Sequence, residues 1–192
     1  LHHAIFAGYT HEPAVALAEQ LLPVLPGKQA KVFYSDNGST AVEVTLKMTI
    51  QYWRNKGIER KKILAFHNAY HGDTFGAMSV SARSVFTRAF DDFLFEVNFI
   101  DTPTEENIER LLEEVALLAP DTAAFIFEPL VQGAGGMLMY SPAVFDRLLA
   151  FCRERGILLI ADEIMTGFGR TGTNFAMEQV QTPPDMITLS KG

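Results

Sequence analysis

The sequence predicts an α/β fold on a mostly parallel sheet, and two observations carry that prediction. Short apolar runs alternate with segments of helical periodicity, the order that lays helices over a sheet of parallel strands. The most apolar run, residues 157–161 (ILLIA), has no polar face, as a strand covered on both sides requires.

The strands expected in order are 31–34 (KVFY), 63–66 (ILAF), 123–127 (AAFIF), 157–161 and a weaker one at 186–189 (MITL). Helices fit around them. Residues 11–25 place Val15, Leu17, Ala18, Leu21 and Leu22 at helical spacing, and residues 39–56 put Val42, Leu46, Ile50 and Trp53 on one face. Residues 104–119 repeat the pattern with Ile108, Leu111, Leu112, Val115 and Leu118. Thr102, Pro103 and Glu105 before them resemble a capping box with proline at the first helical position. Ser141-Pro142 opens the next helix in the same way, and Gly156 closes it. No repeat, low-complexity stretch or internal boundary interrupts the 192 residues, so residues 1–192 read as one domain.

Composition narrows the function. With 48% hydrophobic and 20% charged residues the chain can build a substantial core. A net charge of −7 argues against nucleic acid as the main partner, because phosphate binding needs a basic face. The single cysteine, Cys152, excludes an internal disulfide and a multi-cysteine zinc site. His67 and His71 are four apart, but a glycine follows and a strand precedes them, which does not suit a helical metal site, so no metal is expected. His2, His3 and His11 have no assigned role. No apolar run reaches the length of a membrane span and no signal peptide is visible, so a cytoplasmic location is expected. Leu1 in place of methionine, and an abrupt end at Lys191-Gly192, read as a piece of a longer chain.

In parallel sheets ligands bind beyond the carboxyl ends of the strands, and the polar motifs fall there. Ser35-Asp36-Asn37-Gly38-Ser39-Thr40 opens a long helix. Free amides, a glycine and two hydroxyls make a phosphate cradle there, or simply a turn and an N-cap. Asn68 to Thr74 (NAYHGDT) gathers an aromatic ring, an imidazole and a carboxylate, or forms a polar loop. Glu128 to Gly136 (EPLVQGAGG) holds three glycines in four residues. They serve a close approach of backbone to ligand or a plain connector. Asp162 ends the most buried strand, where an acid needs a partner. A cationic ligand nitrogen would supply one, and so would Arg170. Lys191 follows the last strand; buried, it would be an amine nucleophile toward a carbonyl, and exposed, an ordinary surface lysine.

Taken together, Asp162-Glu163-Ile164, the run from Gly167 to Gly172 (GFGRTG), Pro184-Asp185 and Ser190-Lys191-Gly192 resemble the signature of the class III aminotransferases, pyridoxal-phosphate (PLP) enzymes of fold type I. The acid-to-lysine spacing, 191 − 162 = 29 residues, fits as well. The resemblance covers essentially the whole chain. It implies that residues 1–192 are a partial PLP-binding large domain, lacking an N-terminal segment and a C-terminal small domain. It further implies a homodimer with its active sites at the interface, and inactivity of this piece alone.

Residue by residue, the resemblance implies that Lys191 attaches to the cofactor aldehyde and then shuttles the proton. Asp162 pairs with the protonated pyridine nitrogen, Gly38 and Ser39 hold the phosphate, Tyr70 stacks on the ring, and Ile164 packs on its other face. Asp73 and Arg170, with Tyr70, would position substrate, and Glu128 and His71 would support. Within the class, residues 70–80 (YHGDTFGAMSV) and 131–137 (VQGAGGM) are similar to the biotin-pathway members, which implies S-adenosylmethionine as donor and 8-amino-7-oxononanoate as acceptor. Ala134 stands where many ω-amino-acid members carry glutamate. Met165, where a small residue is expected, leaves room for another class III ω-aminotransferase or an aminomutase. Asn37 in place of serine is expected to matter little. A non-catalytic phosphate-binding domain would use only the 36–40 loop (DNGST) and leave Lys191 unexplained.

Overall fold

Five short apolar runs pair side by side to make the framework. In the computed structural model, which describes residues 6–192, they are β1 (Lys62–Phe66), β2 (Asn98–Ile100), β3 (Thr122–Phe127), β6 (Leu158–Asp162) and β7 (Met186–Thr188). The sheet order is β2-β1-β3-β6-β7, and every neighbouring pair is parallel. A small antiparallel ribbon, β4 (Val131–Gln132) with β5 (Leu138–Met139), closes the glycine-rich segment after β3. The helices are α1 (Glu12–Leu21), α2 (Gly38–Asn55), α3 (Phe75–Ser79), α4 (Ile108–Leu118) and α5 (Pro142–Glu154).

Alternation along the strands builds two cores. Leu64, Phe66, Phe125, Phe127, Leu159 and Ala161 face α4 and α5, where they meet Leu111, Val115, Phe145, Leu148 and Cys152. Ile63, Ala65, Ala124, Ile126 and Ile160 face α2 and α3, where they meet Val42, Leu46, Trp53 and Ala77. The Trp53 indole donates to the Ala123 carbonyl at 2.9 Å, so its polar atom is satisfied inside the core. At the far edge, Asp185 fastens β7 to β6. Its N–H donates to the Leu159 carbonyl and its carboxylate accepts from the Leu159 N–H, each at 2.8 Å.

Four of the five expected strands form. Residues 31–34 do not: they lie outside the sheet, with Phe33 65% exposed. Strand propensity needs an edge to pair with, and the edges, β2 and β7, have no ladder to this segment. The helix expected from 104 begins at Ile108, because Thr104 and Asn107 bond to each other's backbone N–H (Thr104 N to Asn107 Oδ1, 2.7 Å) and close a turn first. The capping box expected from Thr102 and Glu105 is therefore not made. On α2 the buried face carries Thr49 rather than Ile50, which is exposed. His11 is the N-cap of α1, its Nδ1 accepting from the Ala14 N–H. His2 and His3 lie outside the described residues. No described helix is long and apolar enough to cross a membrane.

Candidate active site

The strand order reverses direction between β1 and β3: the chain moves outward from β1 to β2, then returns to the other side of β1 and continues through β3, β6 and β7. The loops after β1 and β3 therefore diverge, which opens a crevice at the carboxyl edge. A cavity of about 790 Å³ lies there. Gly38, Ser39, Tyr70, Asp73, Asp162, Ile164 and Lys191 all line it, so seven of the residues singled out from sequence converge. Arg170 does not line it. Its guanidinium donates to the Lys191 carbonyl at 3.3 Å and does not pair with Asp162.

The floor is the start of α2. Asn37 Oδ1 accepts from the Thr40 N–H at 3.0 Å and Thr40 Oγ1 accepts from the Asn37 N–H at 3.0 Å, a reciprocal cap. The Gly38 and Ser39 amides are left without an acceptor among the described residues, as the first amides of a helix are. A side chain at Gly38 would collide with Ile164, whose Cδ1 lies 2.9 Å from where a Cβ would be. The loop after β1 is stitched to this helix. Ser39 Oγ accepts from the Thr74 N–H at 3.0 Å, and Gly72, at φ +130°, passes so close that a Cβ would sit 2.3 Å from that oxygen. Glu43 accepts from the Gly76 N–H at 2.6 Å one turn further on.

Asp162 is buried at the end of β6. One carboxylate oxygen accepts from the Ile164 N–H at 3.1 Å and the Thr188 hydroxyl at 3.2 Å; the other lies 2.6 Å from His71 Nδ1. The acid thus finds a partner 91 residues away in sequence, not Arg170. His71 has no exposed side-chain surface, and its Nε2 has no partner among the described residues. Above it, the Tyr70 hydroxyl donates to Asp73 at 2.9 Å. Partial burial, and then Asp73, raise the phenol above its ordinary range.

Glu128, at the end of β3, accepts from the Tyr70 N–H and the Gly133 N–H, each at 3.1 Å. Burial raises its pKa, while His71 and the two amides oppose the shift. Glu163 faces away from the cavity. It accepts from Thr166 and from the Ala176 and Met177 amides, and so anchors the turn after the GFGRTG run. Met165 closes one side against Gly133, where a Cβ would lie 2.9 Å from its Cε. Lys191 is exposed rather than buried, and it lines the cavity. Thr74 and Met137 also line the cavity; both lie in stretches singled out from sequence, 68–74 and 131–137, without having been given a role of their own.

The sequence matches the family Aminotransferase class-III over residues 1–192. The chain belongs to the class III aminotransferases. It is 54% identical to the adenosylmethionine-8-amino-7-oxononanoate aminotransferase of Synechococcus elongatus, across 100% of this chain and 48% of that one. To the enzyme of the same name from Geobacter sulfurreducens it is 41% identical, across 100% of this chain and 46% of that one. The chain spans about half the length of the curated relatives it matches. The crystal structure of the Methanocaldococcus jannaschii protein of that name superposes with a TM-score of 0.93 at 34% identity, over 99% of this chain and 45% of that one. An amine transaminase from an uncultivated Pseudomonas species, solved in its PLP-bound form, superposes at 0.88 with 36% identity, over 99% and 47%. The α/β framework is thus that of PLP-dependent transaminases.

The residues present fit such a cofactor. Two free helix amides suit its phosphate, a buried carboxylate suits a ring nitrogen that carries a proton, and a lysine at the cavity suits its aldehyde.

Proposed function

We propose that this chain is the cofactor-binding part of a PLP-dependent aminotransferase that moves an amino group from S-adenosylmethionine to 8-amino-7-oxononanoate. The observation that carries the reading is one cavity holding an amine (Lys191), a buried acid (Asp162) and two unpaired helix-N-terminal amides (Gly38 and Ser39). The donor and acceptor are those in the names of the relatives from Synechococcus elongatus and Geobacter sulfurreducens.

Each residue then has a task. The Gly38 and Ser39 amides bind the phosphate at the positive end of α2. Asp162, fixed by His71, Thr188 and the Ile164 amide, presents negative charge to the ring nitrogen. Tyr70 and Ile164 flank the ring, and Tyr70 with Asp73 faces substrate, while Arg170, outside the cavity, holds the Lys191 carbonyl. The Lys191 amine would hold the cofactor through its aldehyde and, when free, would carry a proton at the substrate carbon. The cofactor, when bound, supplies the electron sink. Met165, a large side chain against Gly133, favours one second reading, in which the donor is a simple ω-amine. Exposed Phe33, Val85, Phe86 and Phe93 are what a subunit interface would cover, in line with a homodimer. A cytoplasmic location completes the reading.

The test uses the full-length protein reconstituted with PLP. S-adenosylmethionine added without acceptor converts the cofactor from its aldehyde to its amine form, read by absorbance. No conversion with S-adenosylmethionine, but conversion with an ω-amine, moves the function to the second reading. Failure to take up PLP at all rejects both.

A further inference from the structure

We propose that Glu128 is a positioning residue that ties together the two loops diverging at the switch point and so sets the width of the slot in which the ring sits. The inference rests on the proposed function for the identity of that ring, and on geometry for the tie itself.

The loop after β1 carries Tyr70, one wall of the slot. The loop after β3 carries Gly133, against which Met165 packs beside Ile164, the other wall. The strands under these loops are neighbours, but their chains leave in opposite directions. Glu128 spans the gap, with Oε2 accepting from the Tyr70 N–H and Oε1 from the Gly133 N–H. Both oxygens are used, so only a carboxylate with two accepting oxygens fills the role.

Three further observations point the same way. Glu128 is 4% exposed, so an unused oxygen would not be rescued by bulk water. Its own carbonyl accepts from the Tyr140 hydroxyl, which pins the base of the loop. Leu130, between Glu128 and Gly133, is buried at φ +65°, a conformation that a branched residue holds only when its surroundings enforce it. The charged and titratable groups near the carboxylate are His71, Asp162 and Tyr140. His71 lies 2.6 Å from Asp162 and lines the same cavity as Glu128, so the clamp and the ring-nitrogen acid are set side by side.

The test is Glu128→Gln in the full-length protein, with Glu128→Asp as the second variant. Glutamine keeps the size but turns an NH2 toward one of the two amides. Aspartate keeps the charge but is one methylene too short to span both. In each variant the amide hydrogens of Tyr70 or Gly133 exchange at least about tenfold faster, and the PLP dissociation constant rises about tenfold, which is about 1.4 kcal/mol. The Tm moves only a few degrees. Unchanged exchange at both amides overturns the clamp. So does a fall in Tm with the PLP constant unmoved, since that is a purely structural acid. If the wild-type protein binds no PLP, the proposed function fails, and the exchange measurement still decides whether Glu128 joins the loops.

Discussion

Gly38→Ala isolates the contact between the start of α2 and the strand-end loop that follows Asp162. The new methyl group would lie 2.9 Å from Ile164 Cδ1, 3.1 Å from Cγ2 and 3.3 Å from Cγ1. Gly38 is buried and does not need a positive φ, so backbone strain adds nothing and the cost is overpacking alone. The obstacle is the tip of a flexible side chain, which puts the cost at the low end of the usual range, about 1–2 kcal/mol. For a domain of this size each kilocalorie lowers Tm by about 2–4 °C. Ile164→Val removes the Cδ1 that makes the worst contact. By itself it costs about 0.5–1 kcal/mol, because Ile164 is only half-buried. The double variant should therefore be more stable than the sum of the two losses, by about 1 kcal/mol. Chemical denaturation of the four proteins measures that coupling, and PLP titration shows whether the cradle amides were displaced. Additivity within about 0.4 kcal/mol would mean that Gly38 and Ile164 do not meet, and the described floor of the site would be wrong.

Gly72→Ala should be worse. A Cβ 2.3 Å from Ser39 Oγ and 2.9 Å from its Cα meets backbone, and φ +130° adds strain, for a loss of about 2–6 kcal/mol in denaturation; a loss below about 1 would refute the close approach. Asp162→Asn, under the proposed function, should slow turnover about 10²–10³-fold with little change in Tm, and a threefold effect would remove Asp162 from the chemistry. Burial pushes the Cys152 thiol up to about 12 from its ordinary value of 9.0. A thiol raised in the folded state favours folding fully below its unfolded value, and that contribution is lost as pH rises from 9 through 12, by about 1.4 kcal/mol per pH unit. The slope should flatten in Cys152→Ala, and the native thiol should resist a disulfide reagent at pH 8 until the protein unfolds.

Much of this was legible because it is local. Continuous apolar runs such as those of β3 and β6 need only a few residues to declare a doubly covered strand. An acid, a glycine-hydroxyl turn and a lysine at strand or helix ends likewise fall at one edge of a parallel sheet by construction. What stayed hidden was pairing at a distance. Nothing near Asp162 names His71 as its neighbour, and the conspicuous Arg170 was the wrong candidate. Glu128 reads as a strand-end acid until the structure shows two amides from different loops on its oxygens. Propensity also misled where no partner existed: residues 31–34 have strand composition, but no ladder claims them.

The Asp185 latch has a further consequence. It sets where β7 starts against β6, with Ile160 opposite Met186 and Asp162 opposite Thr188. The separation of acid and amine is thus gauged by ladder register, as with a caliper, and not by the contour length of the 163–184 connection. Loop insertions there would be absorbed as slack. A single residue added within Met186–Thr188 would instead shift the register that sets Thr188 beside Asp162 and carry Lys191 out of place with it.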